Sequence, residues 1–141
     1  MAFRSNKLSL EVIWLDEHML ELKLCTGNTH FSGQTTFYAS LNAPAQFANH
    51  ISGFPNSHLD HREYEFGGTG LDGYGGARVK LSCTDSSGHL LVEVNVYNQY
   101  GPMEESIQSA TVHNVAVPAE IDSFVEQLLS MRPQVGDAAY F

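Results

Sequence analysis

Hydrophobic and polar residues alternate in three runs within the first third of the chain. Alternation with a period of two residues is typical of strands that have one buried face. The residues expected on the buried faces are Leu8, Leu10, Val12 and Trp14 in the first run, Leu20, Leu22 and Leu24 in the second, and Phe31, Gly33, Thr35, Phe37, Ala39 and Leu41 in the third. Polar turn clusters at 16–18 and 26–29 separate the runs, so the three strands should pair antiparallel. Gly33, inside the third run, indicates a bulge or a close approach of another part of the chain.

The same alternation returns in the second half of the chain. A weaker strand is predicted from Leu59 to Phe66, with Arg62 and Tyr64 on the same face as Phe66. The further predicted strands contain Val79, Leu81 and Cys83, then Leu90, Val92, Val94 and Val96, and finally Ile107 to Val117. Asp85–Gly88 is typical of a hairpin turn between the first two of these.

Two segments carry apolar residues at helical spacing, and each follows a predicted strand through a Pro-Ala pair. Pro44 and Pro118 stand at the helix starts, where the missing N–H group costs nothing, and Asn42 is the expected N-cap of the first helix. The apolar stripes are Phe47, Ile51 and Phe54 in the first helix, and Ile121, Phe124, Val125, Leu128 and Leu129 in the second. Each stripe should lie against a sheet face.

These elements predict an α+β fold with six to seven mostly antiparallel strands and two helices in a single domain, 1–141. The order strand, strand, strand, helix is expected twice, in pseudo-repeat halves at about 8–54 and 78–131; the alternative is that strand–Pro–helix junctions simply recur. A mobile glycine-rich loop, 67–76, is expected between the halves, because six of the twelve glycines fall there. The residues predicted to be buried in the core are Trp14, Leu22, Phe37, Phe47, Val94, Phe124 and Leu128.

Composition and charge narrow the class of protein. Seven Lys and Arg residues against sixteen Asp and Glu residues give a net charge of −9, which argues against nucleic acid or an anionic membrane as a direct partner. The charge permits a basic protein partner, and it also favours solubility. No apolar signal-peptide segment follows Met1, so a cytoplasmic location is expected. Cys25 and Cys83 are expected to be free, buried thiols.

No pattern of residues marks a catalytic site or a cofactor site. His58 and His61 could present two imidazoles to a metal, but a spacing of three places them on opposite faces of a strand, and zinc needs three or four ligands. The glycine-rich loop lacks the lysine and the helix start of a phosphate loop. A non-enzymatic, protein-binding role is therefore expected. A small hydrolase or metal-dependent enzyme using His58 and His61 is the first alternative, and a homodimeric structural or regulatory domain that pairs through an exposed strand edge is another.

The candidate partner-binding residues lie along the weak strand and the glycine-rich loop. They are Asp60, Glu63, Tyr64, Glu65, Asp72 and Tyr74. Acidic residues interleaved with tyrosines on an exposed segment suit protein recognition. The alternative is an acidic, solvated edge strand that prevents sheet-to-sheet aggregation.

The order of these pieces resembles that of a known family. The residues are Phe31-Ser32-Gly33 leading to Phe37-Tyr38-Ala39, the Ala-Pro-x-x-Phe helix at 43–47, Tyr64-Glu65-Phe66, the strand Gly-His-Leu-x-Val-x-Val at 88–94, and the helix that starts at Val117-Pro118. The pattern is similar to that of small bacterial immunity proteins of the WapI type, over about residues 8–131. The resemblance implies a cytoplasmic antidote that binds a cognate protein toxin. It implies no catalytic motif, no cofactor and no particular toxin-contacting residue.

Overall fold

The computed structural model describes residues 6–68, 75–101 and 106–141, which form eight strands and two helices. In chain order they are β1 (Leu8–Leu15), β2 (Met19–Gly27), β3 (Ser32–Ser40), α1 (Ala43–Ile51), β4 (His61–Gly68), β5 (Gly75–Cys83), β6 (Leu90–Gln99), β7 (Ile107–Ala116), α2 (Pro118–Ser130) and β8 (Ala138–Tyr140). The α+β class is confirmed, with eight strands where six to seven were predicted. None of the helices in the described ranges is both long enough and apolar enough to span a membrane.

The strands form two four-stranded antiparallel sheets. The first has the order β3-β2-β1-β8 and the second has the order β4-β5-β6-β7. The additional strand, β8, returns from the C-terminal end to pair with β1, where Ser9 lies opposite Tyr140. Four residues of the predicted glycine-rich loop are strand residues, since Gly67 and Gly68 end β4 and pair with Gly76 and Gly75 at the start of β5. The loop residues 69–74 lie outside the described residues. The duplicated plan, the single domain and their boundaries stay predictions.

One predicted core residue, Trp14, is on the surface. Its side chain is 43% exposed, whereas Leu22, Phe37, Phe47, Val94, Phe124 and Leu128 are all buried as predicted. The pairing of β1 with β2 shifts register between Val12 and Trp14, so an extra residue in β1 reverses the alternation. Leu15 packs against the core in the place expected of Trp14. Phe31, Leu41 and Leu129, which were also expected on buried faces, are exposed.

The core lies between the two sheets, which meet along β3. This strand runs against all four strands of the second sheet. The sheets approach closely at Gly33, where an added Cβ atom would come within 2.8 Å of Val96 Cγ2 and 3.5 Å of Ala110 Cβ. The close approach predicted from Gly33 is therefore confirmed, and a side chain at this position would push the sheets apart.

The two helices pack against each other and complete the core. The Phe47 ring of α1 lies 5.9 Å from the Phe124 ring of α2 and 4.9 Å from Phe66 of β4. The start of α2 is stabilised by Glu120, whose Oε1 atom accepts a hydrogen bond from the Val117 N–H and whose carboxylate pairs with Lys7. Asn42 precedes α1, but its side chain makes no capping hydrogen bond, so the predicted cap is wrong in that respect.

Side chains from elsewhere in the chain cover parts of the sheet edges. The Gln127 amide bonds to both the N–H and the carbonyl of Tyr140 on β8. On β7, the His113 carbonyl accepts a hydrogen bond from Asn28, and the Val115 carbonyl accepts one from Lys7. Such contacts hinder the addition of a further strand at β7 and at β8, which are edge strands of the two sheets.

Candidate protein-binding surfaces

Two of the predicted partner-binding residues, Glu63 and Glu65, point outward from β4 and share one cationic partner. Arg78 on β5 lies opposite Glu65 in the sheet. Its Nη2 atom is 3.1 Å from Glu65 Oε2, and its Nε atom is 3.5 Å from Glu63 Oε1. The hydrogen bond to Glu65 is the main cause of the raised pKa of Arg78. Both carboxylates thus face a fixed guanidinium group on the outer face of the second sheet.

Glu65 is also held by Tyr97 of β6, whose side chain reaches across β5. The Tyr97 hydroxyl donates a hydrogen bond of 3.0 Å to Glu65 Oε1. Burial of the phenol, followed by this hydrogen bond, raises the pKa of Tyr97 to about 12. The ring crosses Gly76, where an added Cβ atom would come within 2.6 Å of Tyr97 Cζ. Only glycine at position 76 leaves room for this contact.

The charged pattern continues across the second sheet. Glu63, Lys80, Glu93 and His113 lie opposite one another on four successive strands. Glu93 is 3.7 Å from Lys80 Nζ and 2.9 Å from His113 Nε2. The charges on this face therefore largely compensate one another. We call this set of six residues the charge ladder: Glu63, Glu65, Arg78, Lys80, Glu93 and His113.

Two other predicted residues, Asp60 and Tyr64, lie apart from the outward carboxylates. Tyr64 faces the interior, where its ring is 5.0 Å from Phe47 and 4.9 Å from Phe66. Burial raises the pKa of Tyr64. The Asp60 carboxylate accepts hydrogen bonds from the Asn56 N–H and from Arg62, and these contacts lower its pKa. Asp72 and Tyr74, the remaining pair, fall outside the described residues.

The histidine and cysteine candidates do not assemble into a metal site within the ranges that the structure describes. His61 begins β4 and His58 precedes it, and both are exposed. No three His, Cys, Asp or Glu residues of the described ranges are placed to hold one metal ion. Cys25 and Cys83 are free as predicted, but both are only partly buried.

An exposed aromatic pair, which the sequence analysis did not single out, lies on the outer face of the first sheet. Trp14 on β1 and Tyr38 on β3 are both opposite Glu21 of the strand between them. Their ring centroids are 6.0 Å apart, with the planes at 84°, so the rings meet edge-to-face across β2. Trp14 is 43% exposed, Tyr38 48% and Met19 39%. We call Trp14, Met19 and Tyr38 the aromatic patch.

The surroundings of the aromatic patch are acidic. The β1–β2 hairpin, Leu8–Gly27, carries the carboxylates Glu11, Asp16, Glu17 and Glu21 and a single ammonium group, that of Lys23. Asp16 Oδ1 accepts hydrogen bonds from the backbone N–H groups of His18 and Met19, which lower the pKa of Asp16 and order the turn beside the patch.

A shallow groove of about 650 Å³ lies at the other end of the first sheet, around the β2–β3 turn. Its lining includes Cys25, Phe31 and Gln34, and Phe31 is 69% exposed. The Asn28 carboxamide oxygen accepts hydrogen bonds from the N–H groups of His30 and Phe31, which fixes the turn. The outer face of the first sheet thus presents aromatic side chains at both ends.

The comparisons with known proteins identify no relative. The chain matches no protein-family model, no curated protein and no solved structure.

Proposed function

We propose that this protein is a non-enzymatic module that binds a protein partner through the outer face of its first sheet. The observation that carries the proposal is the aromatic patch, in which Trp14 and Tyr38 stand half-exposed in edge-to-face contact. Tryptophan and tyrosine dominate the residues whose truncation weakens protein–protein interfaces most, because they bury a large area at little conformational cost.

The position of the aromatic patch supports this role. Trp14 on β1 and Tyr38 on β3 both lie on strands that are hydrogen-bonded to β2. The backbone at both positions is therefore ordered before a partner binds. The mutual ring contact restricts each side chain further. A surface that is ordered in advance loses less entropy on binding, which favours affinity.

The charge ladder is a weaker candidate for the main contact. Glu65 is already engaged by Arg78 and Tyr97, and Glu93 by Lys80 and His113. A partner that bound there would have to compete with these contacts. The predicted binding role of Asp60, Glu63, Tyr64, Glu65, Asp72 and Tyr74 remains a secondary proposal. Of the three carboxylates of this group that the structure describes, that of Glu63 is the most exposed.

We further propose that the protein partner is a toxin and that this protein has an immunity-type role. The resemblance to WapI-type immunity proteins supports a cytoplasmic antidote whose partner is a toxin encoded beside it. The net charge of −9 suits a basic partner. In this reading the protein acts by occupying a surface of the toxin and carries out no chemistry of its own.

Co-expression tests the proposed function. A toxic protein encoded next to this gene should be neutralised by the wild-type chain and should co-purify with it. Trp14→Ala with Tyr38→Ala should abolish both effects while the variant stays folded, with a thermal unfolding temperature that is lowered because the edge-to-face contact and the half-buried ring areas are lost. Tyr100→Ala is the matched control, because Tyr100 is 72% exposed and lies outside the patch. Full protection by the double variant would refute this surface as the binding site.

A further inference from the structure

We infer that the aromatic patch receives an arginine side chain from a basic segment of the protein partner. The inference rests on the proposed function, because it names the chemistry that the same patch would recognise. It is drawn from two properties of the outer face of the first sheet, namely the aromatic rings and the excess of negative charge around them.

The charge of this face is one-sided, in contrast to the charge ladder of the second sheet. The β1–β2 hairpin has four carboxylates against one ammonium group, and β3 has no charged residue. Lys23, the single cation, lies opposite Glu11 in the sheet. The Glu17 side chain is 85% exposed at the tip of the hairpin, where its Oε1 atom lies 3.3 Å from the Nε2 atom of its exposed neighbour His18. The face therefore attracts a cationic partner and repels an acidic one.

The aromatic rings decide which cation fits this face best. The face of an indole is the strongest aromatic partner for a cation, and Trp14 is half-exposed beside the acidic turn. Tyr38 meets it at 84°, so the two rings form a corner and not a flat stack. A planar guanidinium group can lie on one ring while its N–H groups point toward nearby carboxylates, which the compact ammonium group of lysine cannot do as well.

The protein already contains one contact of this kind. The guanidinium carbon of Arg62 lies 5.6 Å from the centroid of the Phe54 ring, while its Nη2 atom pairs with Asp60. An arginine between an aromatic ring and a carboxylate is thus compatible with the geometry of this chain. At the aromatic patch, Trp14 and the acidic turn at Asp16 and Glu17 present the same two kinds of group at the surface, and the arginine would come from the partner.

Trp14 gives this inference a direct readout, because it is the only tryptophan in the chain. The probe is an uncharged-ended tetra-arginine peptide, with tetralysine and tetraglutamate peptides as matched comparisons. At low salt, tetra-arginine should change the emission of Trp14, and tetralysine should bind about three- to five-fold more weakly. High salt should remove most of the binding, because Asp16 and Glu17 at the turn are solvent-exposed and their charges are screened. Tetraglutamate should have no effect.

A charge-matched pair of variants tests the role of the surrounding carboxylates. Glu17→Gln with Glu21→Gln should weaken tetra-arginine binding several-fold, whereas Glu126→Gln with Asp122→Gln makes the same change of net charge on the exposed face of α2 and should have little effect. Calorimetry on Trp14→Ala should show no binding. An unchanged Trp14 emission with tetra-arginine at low salt, or equal weakening by both variant pairs, would overturn the inference.

The outcomes also separate this inference from the proposed function. If the partner still requires Trp14 but binds equally well at high salt and with Glu17→Gln and Glu21→Gln, the arginine inference is wrong while the binding surface stands. If the partner binds the Trp14→Ala, Tyr38→Ala variant as well as the wild type, the surface itself is wrong.

Discussion

The Tyr97 hydroxyl donates a hydrogen bond of 3.0 Å to Glu65 Oε1 and so connects β6 to β4 across the strand between them. The acceptor is a carboxylate that also pairs with Arg78, and the phenol is 8% exposed. Tyr97→Phe should therefore lower the free energy of unfolding by about 1.5 kcal/mol, the lower end of the range for a hydrogen bond to a charged group, because the Glu65 side chain is 46% exposed. Urea unfolding measures this loss. Tyr100→Phe, at an exposed tyrosine, should leave the midpoint unchanged.

Alkaline pH should weaken the fold through the same residue. The folded-state pKa of Tyr97 is about 12, above the ordinary value of 10.0, so the contribution of the neutral phenol is fully present below pH 10. As the pH rises from 10.0 to about 12, the unfolded chain loses this proton first, and the free energy of unfolding falls. Tyr97→Phe should show a shallower decline over that interval. Parallel pH profiles for the two proteins would contradict the assignment.

Gly76 and Gly68 provide a matched pair of substitutions in one hairpin. Gly76→Ala should lower the free energy of unfolding by about 1–3 kcal/mol, because the new Cβ atom collides with the Tyr97 ring and with the Phe66 carbonyl oxygen. The new Cβ atom of Gly68→Ala meets no atom of the described residues within 4 Å, so this variant should have a much smaller effect. Thermal unfolding of both variants checks the difference. Equal effects would mean that the Tyr97 ring does not lie over Gly76.

Substitutions of Asp60 and Glu63 should have different effects on the free energy of unfolding, although both residues were predicted to bind the partner. Asp60→Asn removes the charge that holds the Asn56 N–H and Arg62, so it should destabilise the fold, whereas Glu63→Gln should not. The pKa of Asp60 is lowered, so its contribution is present above the ordinary aspartate range and is lost as the pH falls through the folded-state pKa. Urea unfolding at neutral and acidic pH should show the Asp60→Asn deficit shrinking in acid.

Much of the fold could be predicted from the sequence because each sheet has one buried and one exposed face. This alternation correctly predicted the buried faces of β2, β3 and β6. It also placed the Tyr64 side chain on the other face of β4 from the side chains of Glu63 and Glu65. It failed at Trp14, where the extra residue in β1 reverses the phase. The run Ile13-Trp14-Leu15 is apolar throughout, so both phases were compatible with it. The three-residue strand β8 is too short to show a period.

The candidate surfaces could be predicted only in part because they depend on strand register. The outward direction of Glu63 and Glu65 follows from alternation, but their contacts with Arg78 and Tyr97 depend on how β4, β5 and β6 align. Trp14 and Tyr38 are far apart in sequence, and they meet only because β1 and β3 flank β2. The uninterrupted apolar run at 13–15 was the one signal that could have indicated this patch.

The affinity of the purified protein for its partner, measured by calorimetry for Trp14→Ala against the wild type, tests the central claim most directly. As a principal contact residue, Trp14 should contribute at least about 2 kcal/mol, so its loss should weaken binding by about 30-fold or more. Leu59→Ala is the control, since Leu59 is 77% exposed and lies outside the patch, and it should bind like the wild type. A Trp14→Ala affinity equal to that of Leu59→Ala would contradict the account.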